Sequence, residues 1–342
     1  MKSHQALCGQ THGPSVYKCA GPGSPYIASA TSRRQFIARS GLFGVAAFAP
    51  FGPAAAAPAP EFIIDIHQHV NYAGRPDDLL LAHQRAMGIA KTILLPAGRR
   101  WNSPATHNGL GNGLEAKCGV NDDCRRLAQA HPGRFYFGAN DVPDAPEALE
   151  EIERFLRLGG LVIGEQKFGL QCDAPAMHRL YDLAAGYRVP ILMHWQYGRY
   201  NQGFDRFYRV LEQHPKTIFL GHAQTWWANI DKDYADPTVL YPKGKVRPGG
   251  LTDRYLSDYA NMFGDLSAGS GLNALTRDED HARDFLRRHQ DKLVYGSDCN
   301  DHVGTGPACQ GAQTLVALHR LAPTSAILAK LLHRNAERLF RF

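Results

Sequence analysis

Two histidines stand two residues apart in the segment FIIDIHQH, at His67 and His69. In an extended chain that spacing puts both imidazoles on one face with Cα atoms about 6.6 Å apart, so they can converge on one ion. The same kind of ending recurs. Apolar runs finish ILMH at His194, IFLGH at His222 and LVYGSD at Asp298, while LVIGEQKF offers Glu165 and Lys167 on a shared face. Imidazole nitrogens and carboxylates that leave a coordination position open suit a catalytic divalent cation such as zinc. His131, His214, His281 and His289 fall in or beside stretches of helical period, where a solvated surface histidine is expected.

The runs that carry these residues define the fold. From residue 61 onward, short apolar or β-branched segments alternate with longer stretches of helical period, the pattern of a parallel sheet covered by helices. Strands are predicted over Phe62–His67, Lys91–Pro96, Arg134–Asn140, Leu161–Lys167, Pro190–His194, Thr217–His222, Met262–Leu266 and Leu293–Ser297. Helices are predicted over Asp77–Met87, Pro146–Leu158, Pro175–Tyr187, Phe204–His214, Asp278–His289, Ala312–Leu321 and Ser325–Phe340. Eight strands in this length predict a single-domain α/β fold, the (β/α)8 TIM barrel, over residues 57–342. A doubly wound open sheet competes, but no glycine fingerprint follows the first strand. In a barrel the chemistry sits at the carboxyl ends of the strands, where the singled-out residues fall. Two connections, Ala97–Val120 and Ala223–Gly250, are too long for bare links and are expected to shape specificity.

The elements DIHQH, IGE, ILMH, FLGH and YGSD, in this order, together with the closing NAERLF at Asn335–Phe340, resemble the amidohydrolase superfamily. The resemblance is to its amidohydrolase-related branch, which includes metal-dependent hydrolases and relatives of aminocarboxymuconate semialdehyde decarboxylase. It implies that His67, His69 and Asp298 bind the main ion and that His194 adds a ligand from strand five. It implies for His222 either a ligand role, as in binuclear members, or contact with the substrate or transition state, as in mononuclear ones. Strand four is open to two readings, because some members bridge two metals with a carboxylated lysine and TatD-like ones use the glutamate of an I-G-E segment. The IGE match favours Glu165 as ligand and leaves Lys167 as a cation near the substrate, although the two side chains could simply pair with each other. The cofactor implied is one or two divalent ions, zinc first.

A divalent ion lowers the pKa of bound water from 15.7 toward about 7 and polarises a carbonyl oxygen, which makes hydrolysis of a C–O or C–N bond the leading expectation. Asp298 would pass the water proton to the leaving group and His222 would stabilise the oxyanion. The alternative is a metal-dependent decarboxylase acting on an unsaturated or aromatic carboxylate. Arg99, Trp101, Trp195, Tyr197, Tyr200, Trp226 and Trp227 follow strands two, five and six and could form an aromatic and cationic rim for such a substrate, or could be loop packing. A non-catalytic exported binding protein is a further alternative. Asp265 is a candidate for orienting a ligand from outside the ion or for touching substrate, Asn300 and Asp301 for orienting ligands or capping their loop, and Gly269 and Gly271 for a tight loop.

Composition narrows the partners. The chain has 342 residues, 44% hydrophobic and 20% charged, enough to bury a large core. Its 38 basic and 32 acidic residues give a net +6, yet five of the cations and none of the acids precede Glu61. A body so near neutrality carries no footprint for nucleic acid or an anionic membrane, which leaves a small-molecule substrate. The leader reads SRRQFIA at residues 32–38, then an uncharged run Gly41–Ala49, then Pro53–Ala57 with a small-residue cleavage site. It resembles a twin-arginine export signal over residues 1–56, which implies use of that export machinery and a periplasmic or secreted enzyme. Its apolar part is shorter than the roughly 20 residues of a stable membrane anchor. Homo-oligomer formation is left open. Five cysteines lie beyond the leader; Cys118 with Cys124 and Cys299 with Cys309 are expected as disulfides, with Cys172 free. Without a C-x-x-C pair, a structural zinc module is not expected.

Overall fold

In the computed structural model, residues 61–100, 102–106 and 117–342 are described; the segment expected to be an export leader and Trp101 lie outside them. The eight expected strands form as β1 (Ile64–Gln68), β2 (Lys91–Leu94), β3 (Phe135–Phe137), β4 (Ile163–Gln166), β5 (Ile191–His194), β6 (Phe219–His222), β7 (Met262–Asp265) and β8 (Leu293–Val294). Every pairing is parallel, in the orders β1-β2-β3 and β4-β5-β6-β7-β8. Main-chain bonds cross both remaining seams. Ala139 N donates to Val162 O (2.8 Å) and Gly164 N to Ala139 O (2.9 Å) between β3 and β4, while Ile66 N donates to Tyr295 O (3.3 Å) between β1 and β8. The ring is the TIM barrel, and parallel sheets of this kind bury both faces of every strand.

Alternation within each strand sorts side chains into two layers. Ile64, Ile66, Ile93, Leu95, Val162, Leu192, Leu220, Phe263 and Val294 fill the barrel interior. Ala336, Leu339 and Phe340 of the C-terminal segment pack against them, with Phe342 partly buried alongside. Ile63, Leu94, Phe137, Ile163, Ile191, Met193, Phe219, Met262 and Leu293 face outward, into the larger apolar cluster shared with the helices.

Those helices are α1 (Asp77–Ala86), α2 (Asn121–Ala130), α3 (Ala148–Arg157), α4 (Pro175–Tyr187), α5 (Tyr208–Gln213), α6 (Gln224–Ala228), α7 (Leu251–Asp258), α8 (Ala268–Thr276), α9 (Glu279–Arg288), α10 (Gln310–Leu321), α11 (Ser325–Ala329) and α12 (Asn335–Leu339). Four of them, α2, α6, α7 and α8, fall in segments for which no helix is predicted. Gly269 and Gly271 therefore sit in α8 rather than in a tight loop. His281 and His289 are buried, not solvated, because the inner faces of α9 and its C-cap turn toward the sheet. All five cysteines beyond the leader are free thiols, so neither expected disulfide is present. Cys124 points from α2 into the apolar core, and Cys299 and Cys309 face each other at 3.6 Å between sulfurs without a bond.

Candidate metal centre

Two strands must break alternation to aim their side chains. Ile64 and Ile66 point into the barrel, so strict alternation would send His67 outward; the register of β1 against β2 shifts between Asp65 and Gln68, and His67 and His69 turn inward. Val162 likewise points inward and Ile163 outward, and a second register shift, between Ile163 and Gln166, brings Glu165 to the interior. Irregularities of this kind re-aim side chains near active sites. Gly164 makes the turn possible: its φ is +141°, and a Cβ there would sit 2.9 Å from Leu192 O. No shift is needed on β5 and β6, where Leu192 and Leu220 are interior, and His194 and His222 stand opposite each other in register. Asp298 reaches the same place from beyond β8, its N–H bonded to His67 O at 2.8 Å.

These six residues, from five strand ends, meet at the mouth of the barrel. His67 Nε2 and His69 Nε2 are 3.2 Å apart, and Asp298 Oδ1 lies 3.7 and 3.4 Å from them. Glu165 Oε2 lies 3.9 and 3.6 Å from the same two nitrogens. The other oxygen of that carboxylate, Oε1, lies 2.5 Å from His194 Nδ1 and 3.6 Å from His222 Nε2. One carboxylate thus faces two ligand groups, His67–His69–Asp298 and His194–His222.

The imidazoles are held from behind. His67 Nδ1 is 2.7 Å from Asp265 Oδ2, and His69 Nδ1 is 2.7 Å from Leu95 O. With those bonds donated by Nδ1–H, both Nε2 lone pairs face inward. His222 Nδ1 lies 3.0 Å from Ser267 Oγ and 3.3 Å from Asp265 Oδ2, and His194 Nε2 lies 3.3 Å from Gln196 Oε1. Asp265 thereby serves two histidines, as anticipated for an orienting group.

Charge at the centre is polarised. Burial opposes ionisation of Glu165, but Lys167 and His194 outweigh it and hold the carboxyl well below the usual range. Burial opposes Asp298 in the same way, and His67, His222 and His69 hold it ionised. His194 is driven down to about 4 by burial and by Lys167, against the pull of Glu165. For His67 and His69 burial is outweighed by the carboxylates, Asp298 foremost, and both are raised.

A donor set of imidazole and carboxylate, all but closed to solvent, fits divalent metal. Glu165 Oε2, His222 Nε2 and Asp298 Oδ1 are buried without a hydrogen-bond partner, and facing lone pairs need a cation or proton between them. Such orphaned groups cost about 1–3 kcal/mol each.

The expected rim differs. Trp195 and Trp226 are fully buried, away from any substrate surface. Because His194 points inward, its neighbour Trp195 points outward, onto Phe204 and Phe207. Trp226 lies on α6 with its indole where a Cβ of Gly221 would be. Trp227 is buried too, donating to Asp265 O at 3.0 Å. Arg99 is engaged with Asp141 Oδ2 (2.6 Å) and Pro146 O (3.4 Å). Lys167 forms no ion pair with Glu165 among the described residues; its Nζ lies 5.6 Å from the Tyr200 ring centroid, and Tyr200 in turn packs on His194. Tyr197 is exposed.

Sequence reasoning missed Tyr72, which packs edge-on against His69 at 4.9 Å, near enough to Asp298 that the carboxylate charge keeps its phenol protonated. It also missed Asn140, whose Nδ2 donates to Glu165 O (2.7 Å) and Pro96 O (3.0 Å) and ties β4 to β2. Position offered the only signal: each lies within four residues of the carboxyl end of a strand, Tyr72 after β1 and Asn140 after β3.

Comparison with known proteins agrees with this geometry. An uncharacterized TIM-barrel protein from Bordetella bronchiseptica superposes with a TM-score of 0.56 at 16% identity, covering 81% of this chain and 97% of its own. A probable 2-pyrone-4,6-dicarboxylic acid hydrolase from Acinetobacter baumannii, with citric acid bound, gives 0.52 at 13% identity, covering 82% and 99%. The 5-carboxyvanillate decarboxylase from Sphingomonas paucimobilis gives 0.52 at 16%, covering 82% and 99%. At these identities the likeness is one of fold. No curated protein sequence matches the chain. Residues 64–342 match the family model described as amidohydrolase, and the chain belongs to that family.

Proposed function

We propose that the protein is a metal-dependent hydrolase of a small molecule, cleaving the C–O or C–N bond of an amide, ester or lactone. His67, His69 and Asp298 would hold one divalent ion, His194 and His222 a second, with Glu165 shared between them. The observation that carries this reading is the Glu165 carboxylate, whose two oxygens face two separate histidine groups. Divalent ions held there would supply Lewis acidity, polarising a substrate carbonyl and lowering the pKa of water toward about 7, zinc being the first candidate.

Asp298 is the carboxylate of the centre with an opening to solvent, its side chain 10% exposed against 1% for Glu165. Kept ionised by the surrounding histidines, it can accept a proton from the attacking water and deliver it to the leaving group. His222 presents Nε2 inward while Ser267 and Asp265 hold Nδ1, an orientation that supports a place on the second ion and equally allows contact with the developing oxyanion. Lys167, which makes no ion pair with Glu165 among the described residues and lies 5.6 Å from the Tyr200 ring centroid, would be available to an anionic part of the substrate. The decarboxylase alternative rests on the branch resemblance; burial of Trp195, Trp226 and Trp227 takes away only the contribution of those three side chains to a substrate rim.

Chelation is expected to abolish turnover of an ester, amide or lactone, with re-addition of zinc or manganese restoring it. Reaction in heavy-oxygen water should place solvent oxygen in the product. Carbon dioxide release without such incorporation would assign the chain to the lyases instead.

A further inference from the structure

The connection from β8 to α10 builds a second cluster of metal-ligating side chains that the hydrolytic centre does not use. Cys299 and Cys309 are ten residues apart at its two ends, and Asp301 lies between them. The fourth member, His83, comes from α1. One donor atom from each of the four lies within 4.8 Å of all the others. Cys309 Sγ is 3.6 Å from Cys299 Sγ and 3.4 Å from His83 Nε2, and His83 Nε2 is 2.8 Å from Asp301 Oδ1. Bond lengths of 2.0–2.3 Å to tetrahedral zinc put ligand atoms about 3.3–3.8 Å apart. The two sulfur distances fall in that window, and the His83–Asp301 hydrogen bond needs to open by roughly half an ångström.

The frame around the cluster is built. His83, Cys299 and Cys309 are buried, and Asp301 keeps a narrow opening, its side chain 13% exposed. Asp301 Oδ2 is occupied by the N–H groups of Val303 (3.1 Å) and Gly304 (3.0 Å), which turns Oδ1 to the cluster. Gly304, at φ +77°, lets the loop press on α1, since a Cβ there would sit 2.5 Å from His83 O. Both sulfurs receive main-chain donors, Gly311 N at 2.8 Å on Cys299 and Ala312 N at 3.4 Å on Cys309, which opens the twelve-residue α10. Main-chain N–H groups therefore already point at both sulfurs from the first turn of α10, as donors to bound thiolates would. Two thiolates, an imidazole and a carboxylate match zinc rather than magnesium or calcium, and four protein ligands leave no position for chemistry.

We propose that His83, Cys299, Asp301 and Cys309 form a closed structural zinc site that fastens the β8–α10 loop to α1. Binding releases the two thiol protons and changes no oxidation state. Since Cys299 follows Asp298 directly, the site also anchors a residue of the hydrolytic centre from behind. A Cys299–Cys309 disulfide is the rival use of the same sulfurs and would remove two of the four ligands.

Zinc content of the full-length protein is the first measurement. Wild type should hold one zinc per chain more than the Cys299→Ser/Cys309→Ser variant. Cobalt substitution gives an independent signature, because thiolate-to-cobalt charge transfer absorbs in the near ultraviolet and the six residues of the hydrolytic centre include no cysteine. That absorption should vanish in the double variant and survive in Cys118→Ser. It should also survive in Glu165→Gln, which separates this site from the proposed hydrolytic ions. Equal zinc in wild type and double variant, absence of the band from cobalt-loaded wild type, or a Cys299–Cys309 disulfide found by peptide mass mapping would each overturn the proposal. The wild-type spectrum decides the matter even where the double variant fails to fold.

Discussion

Asp265 is fully buried behind two of the imidazoles, 2.7 Å from His67 Nδ1 and 3.3 Å from His222 Nδ1, on the side away from the inward-facing Nε2 atoms. It acts as a positioning residue, fixing ring orientation and making the imidazoles better ligands. Asp265→Asn keeps the shape and removes the charge; metal affinity, read by competition with a coloured chelator, is expected to fall 10–100-fold with the circular dichroism spectrum unchanged. Unaltered affinity would reduce Asp265 to packing. The six central residues were legible in the sequence because each is a polar group ending an apolar run, a pattern that burial alone would not tolerate. Trp195 and Trp226 were misread for want of geometry: their directions depend on the inward turn of His194 and on a helix, α6, that the sequence does not announce. Tyr72 was hidden in a short 3-10 turn, Tyr72–Gly74, whose path no periodicity reveals.

Among the elements, strands were more legible than helices. The strand cores read as short, mainly apolar runs, such as FYF in β3 and ILM in β5, the mark of a sheet buried on both faces, with polar residues breaking in chiefly in β1 (IDIHQ) and β4 (IGEQ). The two register shifts were not read, although a parity conflict was present: Ile64 and Ile66 demand one face and His67 the other. Helix α2 escaped notice because NDDCRRLAQA carries only Cys124, Leu127 and Ala128 as its apolar stripe, and α8 because its glycines look like a turn. Helices α7 and α9 are joined through Asp253, whose Oδ1 accepts from His289 Nε2 (2.6 Å) and from Arg288, and whose Oδ2 accepts from Gly249 N (2.9 Å). Burial opposes its ionisation, but His289 and Arg288 prevail and the carboxyl is depressed. A depressed folded-state pKa contributes stability above the ordinary aspartate value of about 3.9 and loses it as pH falls below that. Asp253→Asn is expected to cost about 1–3 kcal/mol at neutral pH, by urea unfolding, because it removes the charge and its amide nitrogen leaves at least one of the three donors without an acceptor. The gap between variant and wild type should narrow on acidification, and a constant gap from pH 7 to about 3 would show that the charge is not what matters.

On the scale of the whole molecule, the barrel has two ends with separate duties. Metal-binding candidates occupy the carboxyl ends of the strands, and the opposite end is stopped by the C-terminal segment, where Ala336, Leu339 and Phe340 pack on Ile64, Ile93 and Leu220. Lys91, the first residue of β2, lies 4.5 Å from the Phe342 ring centroid, which places the stopper at the amino-terminal rim. Barrels of this architecture keep stability at that face and chemistry at the other. A cavity made at the stopper should therefore weaken folding without reaching the centre. Leu339→Ala removes a side chain left 7% exposed, and the loss is expected at about 2–4 kcal/mol in urea unfolding followed by intrinsic fluorescence. Well below the unfolding transition, the same variant should bind metal as tightly as wild type, because sites this far apart add independently. Weaker metal binding in folded Leu339→Ala would mean that the interior transmits strain from one rim to the other and that the barrel must be treated as one coupled unit.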